Sequence, residues 1–223
     1  MKKILFIVFA LLNFWLLNAQ TKTITSDTTV TLSFGKKSYS VTVPKGSKIL
    51  LHDGQILQIK FSKPAAIDGF LVSSWQLDTS NNVLIIQTLY PEQLSLNNKQ
   101  VTFLPGIIEI YLNGNLANGT LATDLSLQLK NGDSLTLAAG SQINLYPDGN
   151  LKKGLLKYHT ELHVGTKKTM FMANRPVSFY PNGNVKSGFL RFKEHFLDSL
   201  GKDHEIEAGS FVRFTSSGEL KTK

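Results

Sequence analysis

The fold class that the sequence predicts is all-β, with tandem repeats of about 35 residues whose short antiparallel strands stack as an elongated sheet or a solenoid. Three observations predict it. A short phrase recurs at a fixed period, apolar residues alternate with polar ones, and tight-turn sequences separate the alternating segments. A fixed period indicates one small supersecondary unit stacked on itself, because such a unit cannot bury its apolar face alone.

The recurring phrase is clearest in two segments, which read INLYPDGNL at 143–151 and VSFYPNGNV at 177–185. Looser copies are IEIYLNGNL at 108–116 and VRFTSSGEL at 212–220. Their turn glycines, spaced by 35, 34 and 35 residues, are Gly114, Gly149, Gly183 and Gly218. In three copies a second glycine follows five residues later, at Gly119, Gly154 and Gly188.

An earlier copy is centred on Gly54, which lies 60 residues before Gly114 and therefore off the period. The sequence leaves the structure of 58–103 open, as a degenerate copy or an insertion. The predicted organisation is a signal peptide at 1–19, an N-terminal β region with degenerate repeats at 20–103, and a β-repeat region at 104–223.

Apolar residues within each copy alternate with period two, which is typical of a half-buried strand. Leu121, Leu156 and Leu190 hold equivalent places and are expected in one continuous core. The same parity predicts that Tyr158, Leu162, Phe192 and Phe196 also point inward. Phe189 to Leu200 has apolar residues at helical spacing as well, but its alignment with the other copies favours a strand.

Turn sequences divide the strands. Asn131-Gly132 predicts a tight hairpin, because both residues tolerate positive φ. Gly35 to Lys37 predicts another hairpin between two alternating segments near the N-terminus. Pro and Gly in the phrases at 143–151 and 177–185 suit a turn for the same conformational reasons. Tyr111, Tyr146 and Tyr180 recur at one repeat position and are interpreted as a packing column.

Residues 1–19 have the order of a secretory signal peptide: Lys2-Lys3, an apolar run from Ile4 to Leu17, and a small residue at Ala19. Cleavage is expected after Ala19. The run is shorter than the roughly 20 residues that span a bilayer as a helix. The chain is therefore expected to be exported to the periplasm, the outer envelope or the medium. Because it has no Cys, disulfides, thiolate catalysis and lipid attachment through Cys are excluded.

Beyond the predicted signal peptide, the net positive charge is confined to the last third of the chain. Residues 20–149 contain 9 Lys and 9 acidic residues, whereas residues 150–223 contain 10 Lys and 3 Arg against 7 acidic residues. This asymmetry is informative about partners rather than about fold.

The Y-P-[DN]-G-N-[LV]-x-x-G module resembles the tandem Tyr-x-Asn-Gly modules of bacterial secreted repeat proteins, which are themselves similar to MORN repeats. The resemblance covers about residues 104–220, with a weaker echo before Gly54. MORN modules have a shorter period and a richer glycine pattern than this chain. The resemblance implies an antiparallel β scaffold used for binding or surface structure, and it carries no catalytic residues.

His159, Glu161 and His163 form the sharpest local arrangement. On a strand they would project to one face, where two imidazoles and a carboxylate could bind Zn or Fe. The equivalent residues of the preceding copy, Asp124, Ser126 and Gln128, indicate instead an ordinary solvated face. No cofactor is predicted.

A basic face is the second candidate site. Repeat alignment gathers Lys157, Arg191, Lys193 and His195 on one side, with other lysines at its flanks, namely Lys152, Lys153, Lys167, Lys168 and Lys186. Such a face could attract an anionic glycan or a lipid head group. Lysines on a strand face also serve solubility and edge protection alone.

No catalytic motif is visible, so the chain is not predicted to be an enzyme. The leading hypothesis is an exported, non-catalytic binding or structural module. Its partner is unknown, with an anionic glycan, a lipid head group or an envelope protein as candidates and nucleic acid excluded. The alternative is a metal-dependent or glycan-processing activity centred on His159, Glu161 and His163.

Overall fold

The computed structural model describes residues 19–34, 37–97 and 99–222. The predicted signal peptide therefore lies, except for Ala19, outside the described residues, as does most of the Gly35 to Lys37 turn. The chain divides into two compact units, Met1–Leu89 and Tyr90–Lys223. The described residues contain strands and turns and no helix, so the all-β prediction is confirmed.

The first unit contains an antiparallel sheet of five strands and a separate hairpin. The sheet order is β1-β4-β5-β6-β7, and β2 pairs with β3. Within the 58–103 segment that the sequence left open, β5 is long and forms hairpins with both of its neighbours. The strands are β1 (Ala19–Thr23), β2 (Thr28–Phe34), β3 (Lys37–Val43), β4 (Lys48–His52), β5 (Gln55–Ile67), β6 (Phe70–Asp78) and β7 (Val83–Thr88).

The second unit contains the repeats, and its strands belong to two layers. Seven strands form an antiparallel sheet: β10 (Gly106–Tyr111), β11 (Leu116–Thr120), β14 (Gln142–Leu145), β15 (Leu151–Leu155), β18 (Pro176–Phe179), β19 (Val185–Phe189) and β22 (Phe211–Arg213). The others form hairpins: β8 (Glu92–Leu96) with β9 (Lys99–Phe103), β12 (Leu125–Gln128) with β13 (Ser134–Leu137), β16 (Thr160–Val164) with β17 (Lys167–Phe171), and β20 (Glu194–Leu197) with β21 (Asp203–Ile206).

Each repeat thus consists of one sheet hairpin and one second-layer hairpin. The sheet hairpin holds the recurring phrase at its turn, as between β14 and β15. The chain then leaves the sheet, forms the second-layer hairpin, and returns as the next sheet strand. The β8–β9 hairpin belongs to this unit as well, so the repeat architecture begins before residue 104, where the sequence placed its start.

The second glycine of each repeat is explained by the packing of the two layers. A Cβ atom at Gly119 would lie 2.7 Å from Phe103, and one at Gly154 would lie 2.6 Å from Leu137. At Gly188 the neighbour is Phe171, again at 2.6 Å. The last residue of one second-layer hairpin therefore occupies the space above a sheet glycine, and any side chain there would displace it.

Sheet hairpins are tied to one another by the recurring tyrosine. The Tyr111 hydroxyl donates to the Leu145 carbonyl at 2.9 Å, Tyr146 donates to Phe179 at 2.8 Å, and Tyr180 donates to Phe214 at 2.7 Å. Each bond joins one repeat to the next. The three recurring tyrosines are therefore joined to the following repeats by hydrogen bonds.

The tips of the second-layer hairpins reach turns of the sheet that lie much later in the chain. The Asn131 side-chain amide donates to the Gly183 carbonyl at 3.1 Å, across 52 residues of sequence. At the equivalent place of the preceding repeat, Asn97 lies against Gly149. Each of these two second-layer hairpins therefore reaches past the next sheet turn in the chain to the turn after it.

The continuous core is present, but the predicted parity fails at two residues. Leu121, Leu156 and Leu190 are all at most 1% exposed. Tyr158 and Phe192, which were predicted to point inward, are 59% and 55% exposed. The reason is a bend after each core leucine, at 122–123, 157–158 and 191–192, which separates the sheet strand from the second-layer strand and breaks the alternation.

Candidate ligand-binding surface

The three residues of the predicted metal site lie at the start of the β16–β17 hairpin and do not converge. His159 Nδ1 accepts a hydrogen bond from the Ala173 amide at 2.9 Å. The His163 ring donates from Nδ1 to the buried Asp133 carboxylate at 2.7 Å, and its backbone amide donates to the same group. In both histidines the ring Nδ1 atom is thus used in a hydrogen bond within the fold.

Glu161 is exposed on the same hairpin, opposite Met170 in the strand register. Over the described ranges of the chain, no three His, Cys, Asp or Glu side chains form a group able to hold a metal ion. The geometry gives no support to the metal-dependent alternative.

The residues of the predicted basic face also lie on the second layer, where carboxylates accompany them. Lys157 Nζ lies 3.4 Å from Asp124 Oδ2. Lys193 pairs with Glu205 and Glu207, and His195 lies 2.8 Å from Asp203.

These carboxylates change the proton affinity of their partners. Hydrogen bonds to Glu205 and then Glu207 raise the pKa of Lys193, and the hydrogen bond from Lys193 lowers the pKa of Glu205. The pKa of Asp124 is lowered first by the Ala139 amide and then by Lys157. Of the four predicted anion-binding residues, Arg191 alone is without a carboxylate partner among the described residues.

A different surface carries cations that have no carboxylate partner, and the single Asp or Glu on the seven sheet strands is Glu109 on β10, three strands from Lys153. The six sheet strands from β11 to β22 contain no Asp or Glu, whereas three of them contain Lys152 and Lys153, Lys186, and Arg213. All four side chains are exposed, and none forms an ion pair with a described carboxylate. The excess positive charge of the last third of the sequence therefore lies mainly on the sheet.

These cations face away from the second layer. On β15, Gly154 packs against Leu137 of the second layer, while the adjacent Lys153 is exposed. On β22, Val212 is buried between exposed Phe211 and Arg213. Because side chains alternate along a strand, Lys153 and Arg213 lie on the opposite face of the sheet, which we name the outer face. Lys152 and Lys186 are the extra residues of two β-bulges, beside Lys153 and Ser187, and their side chains are exposed.

The strand register arranges the outer face in bands that cross the strands. Lys153 is opposite Ser178, Ser178 is opposite Ser187, and Ser187 is opposite Arg213. The two serine hydroxyls are 2.6 Å apart, which confirms that they share a face. Neighbouring strands are about 4.8 Å apart, so this polar band extends for about 14 Å.

An apolar band lies beside the polar one. In the same register, Leu155 is opposite Pro176 and Phe189 is opposite Phe211. The two phenyl rings are tilted with centroids 5.1 Å apart, and Phe211 is 46% exposed. Arg175 lies over the Phe189 ring at 5.2 Å, and Arg213 lies over the Phe211 ring at 5.5 Å. The band is thus aromatic and flanked by guanidinium groups.

A third band lies toward the turns and repeats from one copy to the next. Lys152 lies 5.7 Å from the centroid of the Tyr146 ring, and Lys186 lies 5.7 Å from that of Tyr180. The nearest turn carboxylate, Asp148, accepts hydrogen bonds from the backbone and side chain of Asn150. The two lysines occupy equivalent repeat positions two strands apart, which corresponds to about 10 Å.

Sequence reasoning placed Lys152, Lys153 and Lys186 only at the flanks of the basic face. The structure separates them from it by a whole layer. A signal was nevertheless present in the sequence. The segments that follow two of the sheet turns contain no Asp or Glu, from Leu151 to Thr160 and from Ser187 to Lys193. The aromatic band, with Phe189 and Phe211, was not identified at all.

The residues that the structure describes include no helix long and apolar enough to cross a membrane. The chain matches no protein-family model, no curated protein and no solved structure.

Proposed function

We propose that this chain is an exported, non-catalytic β-repeat protein that acts as a binding module in the cell envelope or the medium, with the outer face of its repeat sheet as the binding surface. The observation that carries the proposal is the charge of that face. Lys152, Lys153, Lys186 and Arg213 are exposed on strands that contain no carboxylate.

The arrangement of polar groups supports a binding role rather than a catalytic one. The buried Asp133 and the ring of His163 bind each other, and the buried Asp198 binds the ring of His204 at 2.8 Å. The tyrosine hydroxyls bind carbonyl groups of the next repeat. These side chains hold hairpins together, whereas the cations of the outer face form no ion pair with a described carboxylate, and three of them lie over aromatic rings.

Export rests on residues 1–19, whose charged, apolar and small-residue segments have the order that signal peptidase requires. The expected mature protein begins at Gln20. An intact-mass measurement of the protein recovered after secretion in a bacterial host tests this, and retention of residues 1–19 would contradict it.

The binding role is tested with two variants that remove the same number of charges. K152Q/K153Q/K186Q alters the outer face, and K157Q/R191Q/K193Q alters the second layer. Each purified protein is mixed with envelope fragments from the cells that produce it and sedimented. We expect the wild type and the second-layer variant to sediment equally, and the outer-face variant to remain in the supernatant. The proposal would be overturned if all three proteins sedimented to the same extent, or if none of them sedimented.

A further inference from the structure

We infer that the ligand of the outer face is a linear anionic polysaccharide, carrying carboxylate or sulfate groups, that lies across the strands. This inference rests on the proposed function and assigns the class of ligand. It draws on three properties of the face: its charge, its bands and its repeat spacing.

Charge selects an anion. Lys152, Lys153, Lys186 and Arg213 can each donate charge-assisted hydrogen bonds to carboxylate or sulfate oxygens. Because the six sheet strands β11, β14, β15, β18, β19 and β22 contain no carboxylate that competes for them, the field above these strands is positive. The second layer offers no such field, since Lys157 and Lys193 already lie beside Asp124, Glu205 and Glu207.

The bands select a sugar polymer among anions. A pyranose ring has an apolar C–H face and a rim of hydroxyl groups, so it needs an aromatic surface beside hydrogen-bonding groups. The outer face provides both, with Phe189 and Phe211 in one band and the hydroxyls of Ser178 and Ser187 in the next. A lipid bilayer would instead require the serine and lysine band to be covered by acyl chains without partners.

The spacing of the cations selects an extended chain. Sites for small molecules gather their polar groups in a concavity, whereas Lys152, Lys186 and Arg213 lie on three different strands of the sheet. Lys152 and Lys186 are equivalent residues of successive repeats, each beside a tyrosine ring. Cations that recur about every 10 Å across the strands match a polymer whose charges also recur. Each repeat then adds a similar contact, and binding strengthens with polymer length.

The test uses sulfated heparin oligosaccharides and oligogalacturonates of increasing length, with neutral dextran, phosphatidylglycerol vesicles and single-stranded DNA as comparison probes. We expect affinity for one of the two anionic oligosaccharide series to rise with length and reach a plateau once the chain spans β15 to β22. K152Q/K153Q/K186Q should weaken it about tenfold or more, which corresponds to about 1.4 kcal/mol. K157Q/R191Q/K193Q should change it less than about twofold.

The aromatic contribution is tested separately with F211S, which leaves every charge in place. This variant should weaken oligosaccharide binding while leaving the salt dependence of binding unchanged, because the number of cations is the same. Far-ultraviolet circular dichroism and thermal midpoints of all variants accompany the binding data. If the outer-face variant K152Q/K153Q/K186Q is unfolded, the single substitutions K153Q and K186Q replace it. Each should then show part of the loss of affinity expected for the triple variant.

Several outcomes would overturn the inference. These are affinity that does not depend on oligosaccharide length, equal losses in the two triple variants, and tighter binding to vesicles or to DNA than to either oligosaccharide series. Envelope binding that depends on the outer face, without binding to either series, would overturn the ligand class and leave the proposed binding role standing. If the protein binds neither the envelope fragments nor either oligosaccharide series, both the ligand class and the proposed binding role are overturned.

Discussion

Leu137 packs directly over the backbone of Gly154, so closely that a Cβ atom on that glycine would lie 2.6 Å from Leu137 Cδ2 and 2.9 Å from Cδ1. The first residue ends a second-layer hairpin and the second belongs to the sheet. Phe103 with Gly119 and Phe171 with Gly188 reproduce the relationship. A large residue and a glycine at complementary places thus define how the two layers fit.

Replacing Gly154 by Ala should destabilise the second unit by about 1–3 kcal/mol, because the added methyl group forces Leu137 out of its position. Chemical denaturation measures the change. In a double-mutant cycle with Leu137→Ala, the combined loss should be smaller than the sum of the single losses, with a coupling of about 0.5–3 kcal/mol. Lys153→Ala is the control on the opposite face, and strictly additive losses for Gly154 and Leu137 would contradict the packing.

Replacing Leu156 by Ala should cost about 2–5 kcal/mol of unfolding free energy, because the side chain is 1% exposed and its removal leaves a cavity. Leu197, which is 57% exposed, provides the matched control. Leu197→Ala should change stability by no more than about 0.5 kcal/mol. Equal effects of the two substitutions would mean that Leu156 is not part of the core.

Replacing Tyr146 by Phe removes the hydroxyl that donates to the Phe179 carbonyl and should cost about 0.5–1.5 kcal/mol. The ring remains, so the change isolates the hydrogen bond between repeats. Tyr158→Phe is the control, since that tyrosine is 59% exposed. A Tyr146→Phe protein as stable as the wild type would show that the bond contributes nothing to the joining of repeats.

Stability should fall at alkaline pH as Tyr111 and Tyr146 ionise. Burial, and then nearby Glu109, raises the pKa of Tyr111; burial, with smaller contributions from Tyr180, Asp148 and Tyr111, raises the pKa of Tyr146. The folded state therefore favours the neutral phenols. Their contribution is complete below the ordinary value of 10.0 and is lost as pH rises through the higher folded pKa. The rise in phenolate absorbance should coincide with unfolding as the pH is raised. Ionisation of Tyr111 and Tyr146 in the folded protein, at the pH where exposed tyrosines ionise, would refute the prediction.

At acid pH, stability should fall as Asp198 becomes protonated. The hydrogen bond from His204, followed by the Lys202 and Leu200 amides, lowers the pKa of Asp198 below its ordinary value of 3.8. The stabilisation is present above that value and is lost as pH falls through the lower folded pKa. Asp198→Asn should therefore be less stable than the wild type at neutral pH, with a difference that shrinks in acid. Denaturation midpoints at a series of pH values measure it, and a difference independent of pH would count against the ionised carboxylate.

The sequence was sufficient to predict the repeat, its period and the β class, because these depend on local turn chemistry and on alternation. Asn131-Gly132 lies at a hairpin turn, as its sequence predicts, although only Gly132 has a positive φ, of 91°. The buried leucines at 121, 156 and 190 also follow from their equivalent places.

The two-layer arrangement could not be read from the same pattern. Strands of the sheet and of the second layer alternate alike, and the bends at 122–123, 157–158 and 191–192 have no strong turn sequence to reveal them. Tyr158 and Phe192 are themselves residues of these bends, where alternation does not hold, whereas Leu162 and Phe196 beyond the bends are buried as their parity predicts. The basic residues were misgrouped for the same reason, since Lys153 and Lys157 are four residues apart but lie in different layers.

The reach of Asn131 to the turn at Gly183 explains why the period stays at 34 to 35 residues. One inserted residue in the β12–β13 hairpin would move its tip away from the turn at Gly183, and it would also move Leu137 away from Gly154. A change of one residue in repeat length would thus disrupt two contacts that lie far apart in the sequence. Whole repeats can be duplicated or lost as units, whereas their internal length is held constant, so such a chain diverges in side chains long before it diverges in spacing.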